Sequence, residues 1–109
     1  MANSKANVVK FFHSDAGHGW LAVKTRELVE LGIADKITAY SYTKGKSSYL
    51  EEDVDMALYI NTQRDRGVAV EVRQGKRWDK KSPIRAFPAF QSTVSTAPVV
   101  ETNEAVVTE

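Results

Sequence analysis

Residues 20–42 read WLAVKTRELVELGIADKITAYSY, and their pattern changes twice. Trp20 to Val23 alternate as a strand does, Trp20 and Ala22 on one side, Leu21 and Val23 on the other. A short helix follows, with Thr25 placed as its N-cap and Glu27 in its positive first turn. Leu28 and Leu31 give its apolar stripe, Gly32 supplies the left-handed residue that ends it, and Ile33 folds back onto it. Ile37 to Tyr42 then return to strand chemistry. Strand, capped helix and strand in immediate succession exclude an all-helical chain and an all-β one.

Upstream, Val8 to Phe12 form a first strand, joined to the Trp20 strand by a glycine-containing turn. Downstream, Thr43-Lys44-Gly45-Lys46 turns the chain into a strand over Ser48–Leu50. Glu51, Glu52 and Asp53 then lead a second helix over residues 53–66, three acids complementing its dipole. Val54, Ala57, Leu58 and Asn61 mark one face of it, and Met56 and Ile60 widen the apolar arc. Arg64 and Arg66 sit in its last turn, and Gly67 stops it. Val68, Val70 and Val72 alternate with Ala69 and Glu71, a half-buried strand. Residues 73–83 read as a basic loop, and Pro88 makes residues 84–90 an edge strand or an extended segment. The expected fold is α+β: a small, mostly antiparallel sheet with two helices in the order β-β-α-β-β-α-β. It spans residues 1–90 and is followed by a flexible acidic tail, 91–109.

Composition bounds the function. The 109 residues suffice for one domain with a modest core. There is no cysteine, which excludes a disulfide framework, a thiolate zinc site and a cysteine nucleophile. No apolar run approaches the roughly 18 residues of a membrane span, and Met1 to Lys10 lack the apolar stretch of a secretion signal. A soluble protein of the bacterial cytoplasm is expected, with no membrane partner. Net charge is +1, unevenly spread: residues 91–109 hold three of the 14 carboxylates and none of the 15 cations, leaving the body at +4.

Four separated motifs, Asp15-Ala-Gly-His-Gly-Trp-Leu21, Leu31-Gly-Ile33, Tyr40-Ser-Tyr42 and Tyr49-Leu-Glu-Glu-Asp-Val-Asp55, together resemble a group of small bacteriophage and mobile-element proteins. The resemblance covers about half of the chain. It implies a phage or mobile-element source and brings no activity with it. The layout of residues 20–42 is similar to AbrB-type swapped-hairpin DNA-binding proteins. This chain, however, has no proline at Lys24 or Thr25, has Ala34-Asp35-Lys36 where that family has a Gly-Asp turn, and adds a second full helix.

Three groups of residues carry candidate chemistry. His13, Asp15 and His18 are possible ligands or proton carriers. The simpler reading is a pinned turn: Gly17 and Gly19 meet a need for positive φ or close packing, Asp15 accepts from the backbone of its own turn, and Trp20 anchors it in the core. Glu51, Glu52, Asp53 and Asp55 form an acidic cluster that caps the second helix; as a hard-cation site it lacks the EF-hand spacing. Arg73, Lys76, Arg77, Lys80, Lys81 and Arg85, with Trp78 among them, suit phosphates or an acidic protein surface; the simpler reading is a solvated basic loop with Trp78 tucked into the core. Tyr40 and Tyr42 share one face of the expected hairpin strand; they either pack the sheet or stand exposed as an aromatic platform for bases or a protein partner.

No catalytic residue, metal site or cofactor is assigned. The leading expectation is a non-enzymatic phage or mobile-element accessory protein that binds, and inhibits or redirects, a host or phage protein through Tyr40, Tyr42 and the basic segment. The first alternative is a DNA- or RNA-binding regulator, as a homodimer, using residues 73–85. The second is a metal-dependent enzyme, which requires His18 or Asp15 to meet the acids of residues 51–55.

Overall fold

The computed structural model describes residues 6–91. Residues 1–5 and residues 92–109, nearly all of the expected tail, lie outside the described residues. The elements are β1 (Ala6–Ser14), β2 (Gly19–Lys24), α1 (Thr25–Glu30), β3 (Tyr42–Lys44), β4 (Ser47–Glu51), α2 (Asp55–Asp65) and β5 (Val68–Arg77). Short 3-10 turns cover Ala34–Lys36 and Pro83–Ala86. The expected order of strands and helices therefore holds.

The five strands form one sheet in the order β3-β4-β2-β1-β5. Three pairings are antiparallel and β1–β5 is parallel, so the sheet is mixed. The parallel pairing follows from the crossover. Helix α2 returns the chain across the sheet, so β5 runs in the direction of β4 and settles on the outer side of β1. Helix α1 ends in a paired hydrogen-bond closure: Gly32 N–H donates to Val29 C=O and Ile33 N–H to Leu28 C=O, with Gly32 at φ 74°.

One face of the sheet carries the helices. Leu21, Val23 and Leu50 of the strands pack there with Leu28, Ile33, Ile37 and Tyr59, and Phe12 and Val70 close the margin. A polar clamp crosses this layer. Tyr59 donates its hydroxyl to Glu27 at 2.7 Å, Lys10 donates to the other Glu27 oxygen at 2.5 Å, and Gln63 donates to Tyr59. Burial pushes the Glu27 carboxyl up, but the donors Lys10, Tyr59 and the Lys24 N–H outweigh it and hold the acid below its ordinary value. The same burial, with the Glu27 charge beside it, raises the Tyr59 phenol. The clamp ties β1, α1 and α2 together.

Several local expectations are corrected. Helix α1 starts from Lys24, whose N–H is taken by Glu27; Thr25 is the first helical residue, and its hydroxyl pairs with Ser48 instead. Of the expected third strand, Ile37 to Tyr42, only Tyr42 pairs, because Asp55 captures the backbone at Thr38; the strand instead takes in Thr43 and Lys44, which were expected in the turn. Tyr40 and Tyr42 thus share no strand face. The fully buried stripe of α2 is Asp55, Tyr59 and Gln63, each held by a hydrogen-bond partner; Met56, Leu58 and Ile60 pack half-buried against the core beside it, while Val54, Ala57 and Asn61 of the expected face are exposed. Strand β5 runs on to Arg77, so Arg73, Lys76 and Arg77 lie on a strand and not in a loop. Of the expected extended stretch 84–90, residues 84–86 lie in the 3-10 turn and only the part from Phe87 on is extended: Pro88 C=O accepts from Thr43 N–H, and Ala89 bridges Tyr42.

Candidate binding rim at the strand ends

Strands β1, β4 and β5 run the same way, so their carboxyl ends, together with the start of β2, form one rim of the sheet. Register fixes this: Ser14 faces Gly19 and Arg77, and Trp20 faces Glu51. The turn at residues 15–18, the acids after β4 and the basic segment after β5 are distant in sequence and neighbours here.

Asp15 is the hub. Its N–H donates to His18 C=O, and its Oδ1 accepts the N–H groups of Gly17 and His18, both at 2.9 Å. Its Oδ2 accepts the Ser82 N–H at 2.9 Å and the Arg85 Nε at 2.6 Å, while Arg85 Nη2 reaches Oδ1 at 2.9 Å. The carboxylate is buried and forked onto one guanidinium. That guanidinium holds Asp15 far below the usual carboxylate range, against the opposing effect of burial, with the N–H donors adding to it. Asp15 therefore closes its own turn, as expected, and also ties residues 82–85 to it.

The glycines act by closeness. Neither Gly17 nor Gly19 has a positive φ. The Phe12 ring lies over Gly19, where an added Cβ would come within 2.1 Å of it, and the Arg85 guanidinium crosses Gly17 at 2.9 Å from the same construction. At Gly75 the His13 ring takes the place of a Cβ. The β1–β5 register slips there by one residue, a bulge that lets His13 Nδ1 accept the Lys76 N–H at 2.9 Å. Burial, and then the Lys76 charge, lower the His13 pKa. His13 is thus a neutral acceptor in the sheet.

His18 is exposed and has a different neighbourhood. It lines a groove of about 340 Å³ with Trp20, Tyr40, Tyr42, Glu51, Asp53, Val54 and Arg85. Trp20 is buried as the floor, Tyr42 meets it edge-on at 6.2 Å, and Arg85 lies over it at 5.8 Å. Tyr40 is 78% exposed and Val54 is 58% exposed at the margin. Glu51 caps the entrance to α2 by accepting the N–H groups of Asp53, Val54 and Asp55. Those donors, with His18 nearby, outweigh burial and hold Glu51 below its ordinary value. Glu52 and Asp53 are exposed. Asp55, itself wholly buried, points the other way, into a knot with buried Ser41 and half-buried Thr38.

The fold thus brings His18 to Glu51 and Asp53, as a metal site would require. Among the described residues, however, no three His, Asp or Glu side chains converge in a way that holds a metal ion. The basic candidates divide. Arg85 is committed to Asp15, and Arg73 pairs with Glu71 at 2.7 Å. Lys76, Arg77, Lys80 and Lys81 are exposed, and half-buried Trp78 stands 6.1 Å from the His13 ring. Trp20, Val54 and Ser82 belong to this rim although the sequence reading gave them no such part. Val54 was legible only as a helix-face residue, and Ser82 carries no signal beyond its proline neighbour.

Among the described residues no helix is long and apolar enough to cross a membrane. No protein-family model, no curated protein and no solved structure matches the chain.

Proposed function

We propose that this protein is a non-enzymatic accessory protein of phage or mobile-element origin that binds a host or phage protein through the groove rim. One observation carries the reading: Tyr40 and Val54 are exposed beside a groove floored by Trp20 and Tyr42. Aromatic and aliphatic side chains presented around a concavity are the usual anchors of protein recognition. The polar candidates for chemistry support it too. Both oxygens of Asp15, Nδ1 of His13 and both oxygens of Glu51 are already engaged in bonds that hold the fold. Inhibition or redirection of the partner's machinery is the natural use of so small a protein of that origin.

The nucleic-acid reading rests on a separate observation, the exposed cations Lys76, Arg77, Lys80 and Lys81 beside Trp78. The acids Glu51, Glu52 and Asp53 disfavour phosphate near the aromatic groove, and Arg85 is neutralised by Asp15.

Affinity capture from infected-host lysate, with and without nuclease, separates the two. A protein captured after nuclease, and lost with Tyr40→Ala plus Val54→Ser but kept with Lys80→Ala plus Lys81→Ala, supports the groove. Capture of nucleic acid alone, released steeply by salt and lost with the lysine variant, overturns it.

A further inference from the structure

Strand β5 is an edge. Among the described residues nothing pairs with its outer side, and its first part follows β1 in unbroken register from Val68 to Gln74. Long, regular edges invite another strand, and proteins usually blunt them with charges, prolines or bulges. Here the bulge comes only at the end of the regular stretch, and the two charges before it are of opposite sign. Glu71 and Arg73, two residues apart on the open face, are opposite in sign and pair with each other. Between them Val72, on the helix-covered side, is 41% exposed.

We propose that β5 is a homodimer interface, in which two copies pair antiparallel about a two-fold axis at Val72. The charges select this register. A two-fold normal to the sheet keeps each face on its own side, so only registers differing by two residues are allowed. Centred on Val72, the pairing sets Glu71 opposite Arg73 of the second copy, and Arg73 opposite its Glu71. Each carboxylate then lies between two guanidinium groups, its own and its neighbour's. A shift of one step either way sets Glu71 opposite Glu71 or Arg73 opposite Arg73, and like charges directly opposite repel. Val72 meets Val72 at the centre. The bulge at Gly75 and Lys76 ends the regular edge, so pairing spans Val70 to Gln74. The result is a continuous sheet of two five-stranded halves with the groove rims at its outer corners. This inference is independent of the groove reading.

Sedimentation equilibrium of the full chain, up to about 0.5 mM, tests it. The wild type is expected to be dimeric at the upper end of that range. Glu71→Arg and Arg73→Glu each turn two attractive contacts into two repulsive ones, and each should weaken dimerisation by about tenfold or more. The double variant Glu71→Arg with Arg73→Glu restores alternating charge and should recover wild-type association. Mixing the two single variants should give heterodimer. Both positions are exposed, so thermal melts of the variants at low concentration should match the wild type. A wild type that stays monomeric, a dimer indifferent to the single reversals, or a double variant that fails to recover would each overturn the proposal.

Discussion

Replacing Asp55 with alanine should be the most damaging single change to the binding surface, though the Asp55 side chain does not line the groove. The carboxylate is wholly buried at the first position of α2. It accepts the Thr38 hydroxyl at 2.7 Å, the Ser41 hydroxyl at 2.6 Å and the Thr38 N–H at 3.0–3.1 Å, shared between its oxygens. A bond to a charged acceptor contributes roughly 1.5–3 kcal/mol, and three such bonds do not add. Alanine also leaves the Thr38 and Ser41 donors without an acceptor, while relieving the cost of a buried charge. The balance is a loss of about 3–5 kcal/mol, a large part of the 5–15 kcal/mol typical of a domain. Asparagine keeps the shape but turns one acceptor into a donor among donors, and should cost about 1–3 kcal/mol. Urea unfolding followed by tryptophan fluorescence measures both. With a slope of about 1–3 kcal/mol per molar, the alanine midpoint should fall by about 1 M or more. The same knot holds the loop that carries Tyr40, so amide exchange at Thr38 should accelerate in the asparagine variant even where it stays folded. An alanine midpoint within about 0.2 M of wild type would refute the view that this knot organises the loop.

Three further outcomes are expected. Gly19→Ala drives a methyl group into the Phe12 ring and should cost about 1–3 kcal/mol by the same unfolding assay, with Phe12→Leu recovering part of it. His13 is held neutral, its folded pKa below the unfolded value of about 6.5. Its stabilising contribution is complete above that value and is lost as pH falls through the folded value; denaturation midpoints across this range should fall with acidity, and His13→Asn should flatten that slope. Asp15→Asn removes the ionic fork to Arg85 and weakens the hold on Ser82. Hydrogen exchange of residues 82–87 should rise by an order of magnitude or more while β2 and β4 stay protected.

Much of the fold was open to sequence reading because it rests on local chemistry. Gly32 and Gly67 ended their helices as expected, the alternation over Trp20–Val23 assigned each face, and the turn at residues 15–18 closed through Asp15. Periodicity misled where buried polar groups replace apolar ones. The inward stripe of α2 is Asp55, Tyr59 and Gln63, and a hydrophobicity pattern does not register residues buried by their hydrogen bonds. The third strand was lost to the same cause, since Thr38 and Ser41 gave their donors to Asp55.

Sequence alone determined the succession of elements, because propensity, capping and turn chemistry act within a few residues. It also placed Asp15, Gly17, Gly19 and Trp20 in a pinned turn. Tertiary structure decided what that turn is pinned to. Asp15 meets Arg85, His13 meets the bulge at Gly75, and His18 meets Glu51 and Asp53, because the α2 crossover sets β5 beside β1 and aligns the ends of three parallel strands. Contacts between residues dozens of positions apart depend on strand order and register, and no local pattern in the chain encodes those.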